Sequence, residues 1–204
     1  ISNPECIGEI VSLSGGTSFE GYYNNREAST ERVRNGWYWT GDLGYRDEAG
    51  FFYFGGRSAD WLRVDSENFA AGPVENIVSR FHGVVMAAVY PVPDPTTGDM
   101  VMVAIEMNET TEFSPHKFDE FLSQQRDLGT KWSPQIVRVI EAMPLTANNK
   151  VHKPPLRASK WFAPDTHYWR PERNQPLRLM NESDKQELEA RFAANGRTQI
   201  LTAL

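Results

Sequence analysis

The amino-acid sequence predicts an α+β fold, in which strands form a sheet and helices pack against it. Two observations lead to this prediction. Several short segments are apolar or alternate between apolar and polar residues, which is typical of strands. The segments between them carry apolar residues at helical spacing and begin with Ser or Pro, which is typical of helices. The composition changes along the chain and indicates three regions, residues 1–57, 58–164 and 165–204.

Residues 1–57 are rich in predicted β-structure. Ile7–Val11 alternates as a strand does, and a short helix is predicted within 25–34. Strand character resumes at Trp37–Trp39. Asp47–Gly50 has the composition of a tight turn between two β-like runs, which predicts a hairpin.

Residues 58–164 alternate between strands and helices. The predicted strands are Trp61–Val64, Val84–Val89, Met100–Met107 and Gln135–Ile140. Pro73 suits the first turn of a helix that ends near Phe81, and Ser114 followed by Pro115 suits the start of a second. A polar loop, Thr146–Lys150, follows the last strand.

The tail, residues 165–204, begins with an aromatic, basic and proline-containing stretch that shows no clear period. Further on, Ser183–Gln186 has the pattern of a capping box at the start of a helix. Leu188 and Phe192 then fall on one face of that helix. We therefore expect a terminal helix within the tail.

Composition excludes several classes of protein. The 204-residue chain has a formal net charge of −6, which argues against a nucleic-acid partner. A single cysteine excludes a disulfide framework, and the four histidines lack metal-ligand spacing, so no metal site is predicted. No apolar run approaches the roughly 20 residues of a membrane span. We expect a cytoplasmic protein whose contact with a membrane is at most peripheral.

Positive charge is concentrated between Lys131 and Arg178, a segment that contains nine Lys or Arg residues and only three Asp or Glu residues. Such a segment in an acidic protein is suited to bind a small anion such as a nucleotide. The alternative is a solvated surface that balances acidic surface elsewhere.

A few polar residues lie where chemistry is plausible. Asp42, in Thr40-Gly41-Asp42, follows a predicted strand, and a carboxylate there can accept hydrogen bonds from a ribose diol. Arg57 ends the next strand after two glycines and offers a planar cation. Lys150 lies in a loop and can bring positive charge to a phosphate, although most loop lysines are merely solvated.

These features gain weight from their order. The run GWYWTGDLGYRDEAGFFYFGGRSADWLRVDSENFAAGPVEN, followed further along by PLTANNKVHKPPLR, resembles the acyl- and aryl-CoA synthetases. These adenylate-forming enzymes also include luciferase and the adenylation domains of peptide synthetases. The resemblance covers roughly residues 7–165 and is greatest to fatty-acyl-CoA synthetases of the fatty-acid-transport-protein branch.

The resemblance implies a reaction and the residues that carry it. A fatty acid or other carboxylic acid reacts with ATP and Mg²⁺ to give an acyl-adenylate, and coenzyme A then accepts the acyl group. By the same resemblance, Asp42 holds the ribose hydroxyls of ATP or AMP, and Thr40 and Arg57 also contact the nucleotide. Lys150 would be the adenylation lysine, which bridges the carboxylate and the α-phosphate.

The resemblance also implies a moving domain. Residues 1–57 would be the last piece of a large N-terminal domain, and 58–164 a small lid that rotates about a hinge at Ser58, Ala59 and Asp60. The hairpin within Trp61–Phe69 would line the tunnel for pantetheine. Its turn residues Asp65, Ser66 and Glu67 would contact coenzyme A, with Ser66 where many members have Gly.

No phosphate-binding loop is found in these 204 residues. We therefore expect the chain to be the C-terminal portion of an acyl-CoA ligase that needs the missing N-terminal part of the same protein and is inactive alone. Two alternatives stay open. One is an acyl-AMP ligase or peptide-synthetase adenylation domain that loads a carrier protein. The other is a non-catalytic module that binds a nucleotide or a partner protein.

Overall fold

The structure, a computed structural model, describes residues 7–202. The first six residues of the predicted first region and the last two of the predicted tail lie outside the described residues. The chain divides into two compact units at Trp61–Leu62. The α+β prediction is confirmed, since sheets and helices both contribute to the fold.

The first unit is built on a long central strand, β3. Its elements are β1 (Gly8–Ser12), α1 (Gly15–Ser18), α2 (Arg26–Arg32), β2 (Val33–Arg34), β3 (Trp37–Arg46) and β4 (Phe52–Arg57), followed by a short 3-10 helix at Ser58–Asp60. β3 pairs antiparallel with β1, β2 and β4. The predicted hairpin is present, because the Asp47 amide donates to the Phe51 carbonyl across the turn that joins β3 to β4.

The second unit contains a five-stranded sheet and a separate two-stranded hairpin. Its strands are β5 (Trp61–Val64), β6 (Glu67–Ala70), β7 (Val84–Pro93), β8 (Asp99–Met107), β9 (Ile136–Ile140), β10 (Thr166–Trp169) and β11 (Arg178–Leu179). Its helices are α3 (Ala71–Val78), α4 (Pro115–Ser123), α5 (Lys153–Ser159), α6 (Glu182–Ala194) and α7 (Thr198–Thr202). The order in the large sheet is β11-β10-β9-β8-β7, and β5 pairs with β6.

Helices cover both faces of the large sheet. One buried cluster joins the apolar residues of α3 and α4 to alternate residues of the sheet, such as Val101 and Val103. The other joins α5 and α6 to the intervening residues, such as Met100 and Met102. Strand β8 is therefore buried on both faces between Met100 and Ile105, which explains the apolar run over these residues. Between residues 7 and 202, no helix has the length and apolar character needed to cross a membrane.

Two sequence predictions in this unit need correction. We expected the first long strand to end at Val89, but β7 continues through Pro91 to Pro93. β7 is the edge of the sheet, so a proline without an N–H is tolerated there. The sequence also predicts a capping box of the tail helix at Ser183–Gln186. In the structure the capping box lies between Asn181 and Asp184, and each side chain accepts a hydrogen bond from the backbone N–H of the other residue.

The predicted tail takes part in the sheet. β10 pairs antiparallel with β9, and β11 pairs with β10. The terminal helix is α6, and Leu188 and Phe192 are both buried, as its apolar spacing predicted.

Candidate functional site

In the first unit, Asp42 and Arg57 form an ion pair. They face each other across the β3–β4 ladder, and Arg57 Nε lies 2.7 Å from Asp42 Oδ1. Both side chains are partly exposed. The pair leaves the carboxylate with lone pairs for further donors, because an ionised Asp offers about four acceptor positions.

The residues before Asp42 hold its backbone in place. The Thr40 hydroxyl donates to the Ile10 carbonyl at 2.7 Å and accepts from the Asp42 amide at 3.0 Å. The Gly41 amide donates to Glu9 Oε1 at 2.8 Å. Gly41 has a φ of +74°, a region where side chains are rare. The Thr40 hydroxyl therefore bonds within the fold and helps to hold the backbone at Asp42.

In the second unit, β5 and β6 are joined by a tight turn at Asp65 and Ser66. Both residues are left-handed, with φ of +46° and +67°. Two left-handed central residues make the type of turn whose twist matches that of a hairpin, and glycine is favoured in it. Both turn residues are exposed, whereas Glu67 is half-buried and accepts a hydrogen bond from the Trp132 indole at 2.9 Å.

Lys150 ends a closed loop in the same unit. The Thr146 amide donates to the Lys150 carbonyl at 2.7 Å, and the Lys150 amide donates to the Thr146 hydroxyl at 3.2 Å. Asn149 has a φ of +55°, which turns the chain just before the lysine. Leu145 and Val151 form a β-bridge on either side. The backbone around Lys150 is thus tied down, while its side chain is exposed.

The nine cations between Lys131 and Arg178 are not equivalent. Seven are bonded to an acid or a carbonyl: Lys131 to Asp65 O, Arg138 to Asp165, Lys153 to Glu75, Lys160 to Leu201 O, Arg170 to Asp119, Arg173 to Asp65 and Arg178 to Asp184. Arg157 also has a partner. Lys150 is the one cation of this segment that has none among the described residues. Most of the segment therefore balances acidic groups, and one ammonium is left available.

The structure distributes the predicted site residues over both units. Thr40, Asp42 and Arg57 come together in the first unit, where Arg57 leads directly into the 3-10 helix of the predicted hinge, Ser58–Asp60. The hairpin residues Asp65–Glu67 and the Lys150 loop belong to the second unit.

Sequence reasoning missed several residues that shape these positions. Lys131, Trp132 and Arg173 contact the hairpin, and Glu75 binds Lys153. The only signal in the sequence is the high density of Lys and Arg between Lys131 and Arg178. This density does not indicate which residue each cation contacts, because the contacts join residues far apart in the chain.

Part of the second unit is similar to a known family of domains. Residues 73–150 match the AMP-binding enzyme C-terminal domain, and the match ends on Lys150. This stretch of the chain is similar to the C-terminal domain of AMP-binding enzymes. The domain lies within the second unit, from the start of α3 to the candidate catalytic loop.

Two curated relatives extend the likeness beyond residues 73–150. The chain is 48% identical over 203 residues to the steroid-22-oyl-CoA synthetase of Rhodococcus jostii, covering 98% of this chain and 37% of the relative. It is 47% identical over 152 residues to the medium/long-chain-fatty-acid–CoA ligase FadD17 of Mycobacterium tuberculosis, covering 74% and 30%. The chain thus spans about a third of the length of these relatives.

A solved structure has the same fold. The O-succinylbenzoate coenzyme A synthetase of Bacillus subtilis, in complex with AMP, is 26% identical and superposes with a TM-score of 0.60. The match covers 80% of this chain and 32% of that protein. The likeness to adenylate-forming CoA synthetases predicted from the sequence is therefore confirmed at the level of the fold.

Proposed function

We propose that this chain is the C-terminal portion of an ATP-dependent acyl-CoA ligase that acts on a fatty acid or a related carboxylic acid. In the first half-reaction, a carboxylate oxygen bonds to the α-phosphorus of ATP and pyrophosphate leaves. In the second, the coenzyme A sulfur bonds to the acyl carbon and AMP leaves. The names and lengths of the relatives support this proposal, and so does the state of one side chain, Lys150.

Lys150 is the adenylation residue in this proposal. Bond formation at the α-phosphorus gathers negative charge on the phosphate and carboxylate oxygens, which a cation can stabilise. A lysine held in an ion pair would have to break that contact first. The Lys150 ammonium has no partner within residues 7–202, and its backbone is anchored by Thr146, so it can meet this charge at little cost. This is the single observation that carries the proposal.

Asp42 and Arg57 are the nucleotide-binding pair in this proposal. The Asp42 carboxylate accepts from the ribose hydroxyls, and Arg57 keeps it oriented through their 2.7 Å contact. Thr40 supports the pair from the backbone side.

Two further assignments accompany these. The hairpin Asp65–Glu67 would face coenzyme A, and the 3-10 helix Ser58–Asp60 would be the hinge between the two half-reactions. Mg²⁺ neutralises phosphate charge in such reactions. Among the described residues, no group of three His, Cys, Asp or Glu side chains gathers as a metal site. Mg²⁺ is commonly held by one or two carboxylates together with substrate phosphates, so in this proposal it would bind with ATP in the complete protein.

The test uses the complete protein that contains this chain, with decanoate and a steroid-22-oic acid as substrates. Lys150→Ala should abolish ATP–pyrophosphate exchange, while thioester formation from supplied acyl-adenylate and coenzyme A largely survives. Lys117→Ala, which removes another exposed lysine of the same unit, is the matched control and should leave both half-reactions unchanged. Equal loss of both half-reactions in Lys150→Ala would contradict the assignment.

The acceptor is tested separately. An acyl-AMP ligase or peptide-synthetase adenylation domain would transfer the acyl group to a phosphopantetheinylated carrier protein. The wild-type protein is offered coenzyme A and such a carrier in parallel. We expect the coenzyme A thioester to form faster, and a preference for the carrier would favour that alternative. Absence of any ATP-dependent activation would favour a non-catalytic binding module.

A further inference from the structure

The hairpin between β5 and β6 is braced by a residue of the tail. Arg173 Nη2 lies 3.2 Å from Asp65 Oδ2, at the hairpin turn. Arg173 Nη1 donates to the Lys131 carbonyl at 3.1 Å. The Lys131 ammonium in turn donates to the Asp65 carbonyl at 2.9 Å. These three residues form a closed triangle of contacts, which we call the hairpin brace.

A second set of contacts holds the strand that leaves the turn. The Trp132 indole N–H donates to Glu67 Oε1, and the Trp132 ring stacks on Phe69 with centroids 5.1 Å apart. Phe69 is buried in the core below α3 and α4. The β6 side of the hairpin is therefore fixed to the core, whereas the tip at Asp65 and Ser66 depends on the hairpin brace.

The tip needs external support for a physical reason. Asp65 and Ser66 both occupy the left-handed region, which is sterically unfavourable for a residue with a side chain. Both are exposed, so burial does not hold them. The Asp65–Arg173 ion pair alone is half exposed and would contribute little to stability. Combined with two hydrogen bonds to backbone carbonyls, it restricts the conformation of the turn.

We propose that Arg173 is a positioning residue for the transfer of the acyl group to coenzyme A, acting through the hairpin turn. This inference rests on the proposed function and deepens it. Arg173 lies outside the matched residues 73–150, so the proposal gives the tail a role in the reaction. Arg173 orders the turn in the conformation that receives the pantetheine arm. The adenylation half-reaction, which uses Lys150 in a different loop, does not depend on it.

The test compares the half-reactions in the complete protein with decanoate as substrate. Arg173→Met keeps an aliphatic side chain and removes two of the three contacts of the hairpin brace. We expect the KM for coenzyme A to rise roughly tenfold, because small displacements of a binding element have effects of this order or larger. ATP–pyrophosphate exchange should stay within about twofold of wild type, because Lys150 lies in a different loop whose position the variant does not displace.

Two further variants make the result decisive. Lys131→Met removes the contact between the Lys131 ammonium and the Asp65 carbonyl. It should also raise the KM for coenzyme A without changing pyrophosphate exchange. This variant keeps the proposal testable if Arg173→Met does not fold. Arg178→Met removes a different tail ion pair, with Asp184, and should leave the KM for coenzyme A unchanged.

The outcomes separate the two proposals. A folded Arg173→Met protein with an unchanged KM for coenzyme A, or with equal loss in both half-reactions, overturns the role of Arg173. A wild-type protein that performs no pyrophosphate exchange overturns the proposed function itself.

Discussion

Lys153 Nζ lies 2.8 Å from Glu75 Oε1, and this ion pair joins the start of α5 to α3. Both side chains are largely buried, and the same Glu75 oxygen accepts the Val89 amide of β7 at 2.9 Å. Lys153 begins the helix that follows Lys150 by three residues. The pair therefore anchors the downstream side of the candidate catalytic loop to the core.

Lys153→Met should lower the free energy of unfolding by about 1–3 kcal/mol, since it leaves a partly buried carboxylate without its cation. Denaturant unfolding of the protein measures this value. Arg80→Met is the control, because it breaks an ion pair of similar length with Asp127 whose side chains are half exposed. That loss should be clearly smaller, because exposed ion pairs contribute little to stability. Equal losses in the two variants would show that the burial of the Lys153 pair has no energetic consequence.

Asp42→Asn should weaken nucleotide binding. The substitution keeps the shape of the side chain but removes the charge that pairs with Arg57 and attracts donors. Hydrogen bonds to charged groups contribute about 1.5–3 kcal/mol, so the KM for ATP should rise by about tenfold or more. Steady-state kinetics at varied ATP measures this. An unchanged KM for ATP together with a lower thioester rate would contradict the ribose-binding role.

Ser66→Gly should stabilise the hairpin by up to about 1 kcal/mol, because glycine tolerates the left-handed region without a steric cost. The φ of Ser66 is +67°. A small rise in the melting temperature checks this. Asn149→Gly, at a φ of +55°, is the comparison and should gain less, since Asn is itself tolerated there. A fall in melting temperature for Ser66→Gly would mean that the serine side chain stabilises the turn.

His167 should make the stability depend on pH. The side chain is buried, and desolvation lowers the pKa of His167 to about 4. Its Nδ1 lies 2.8 Å from the Asp165 carbonyl, while Nε2 has no partner among the described residues. Because the unfolded chain takes up this proton near pH 6.5 and the folded chain only near pH 4, stability is lost as pH falls through this range.

His167→Gln should reduce that loss by roughly 2–3 kcal/mol between pH 6.5 and pH 4. Urea unfolding at a series of pH values, in wild type and variant, provides the measurement. The difference between the two curves removes the contribution of carboxylates. Parallel curves would show that His167 is not neutral in the folded protein.

Local pattern was sufficient for many elements of the fold. The strands at Trp61–Val64 and the helix that begins after Ser114 form where the sequence predicted them, and the Ser114 side chain accepts from the Lys117 amide as an N-cap does. The tail strand β10 was not predicted. It has only four residues, and its pairing with β9 rather than its own sequence stabilises it.

The sequence by itself determined the fold class, the family likeness and the candidate residues Asp42, Arg57 and Lys150, because spacing and residue type are local properties. Only the tertiary structure decided which cationic side chains form ion pairs or hydrogen bonds within the protein. Lys131, Lys153 and Arg173 resemble Lys150 in the sequence, yet each is bonded to a residue distant in the chain. Such partners are chosen by the packing of separate elements, and no local pattern encodes them.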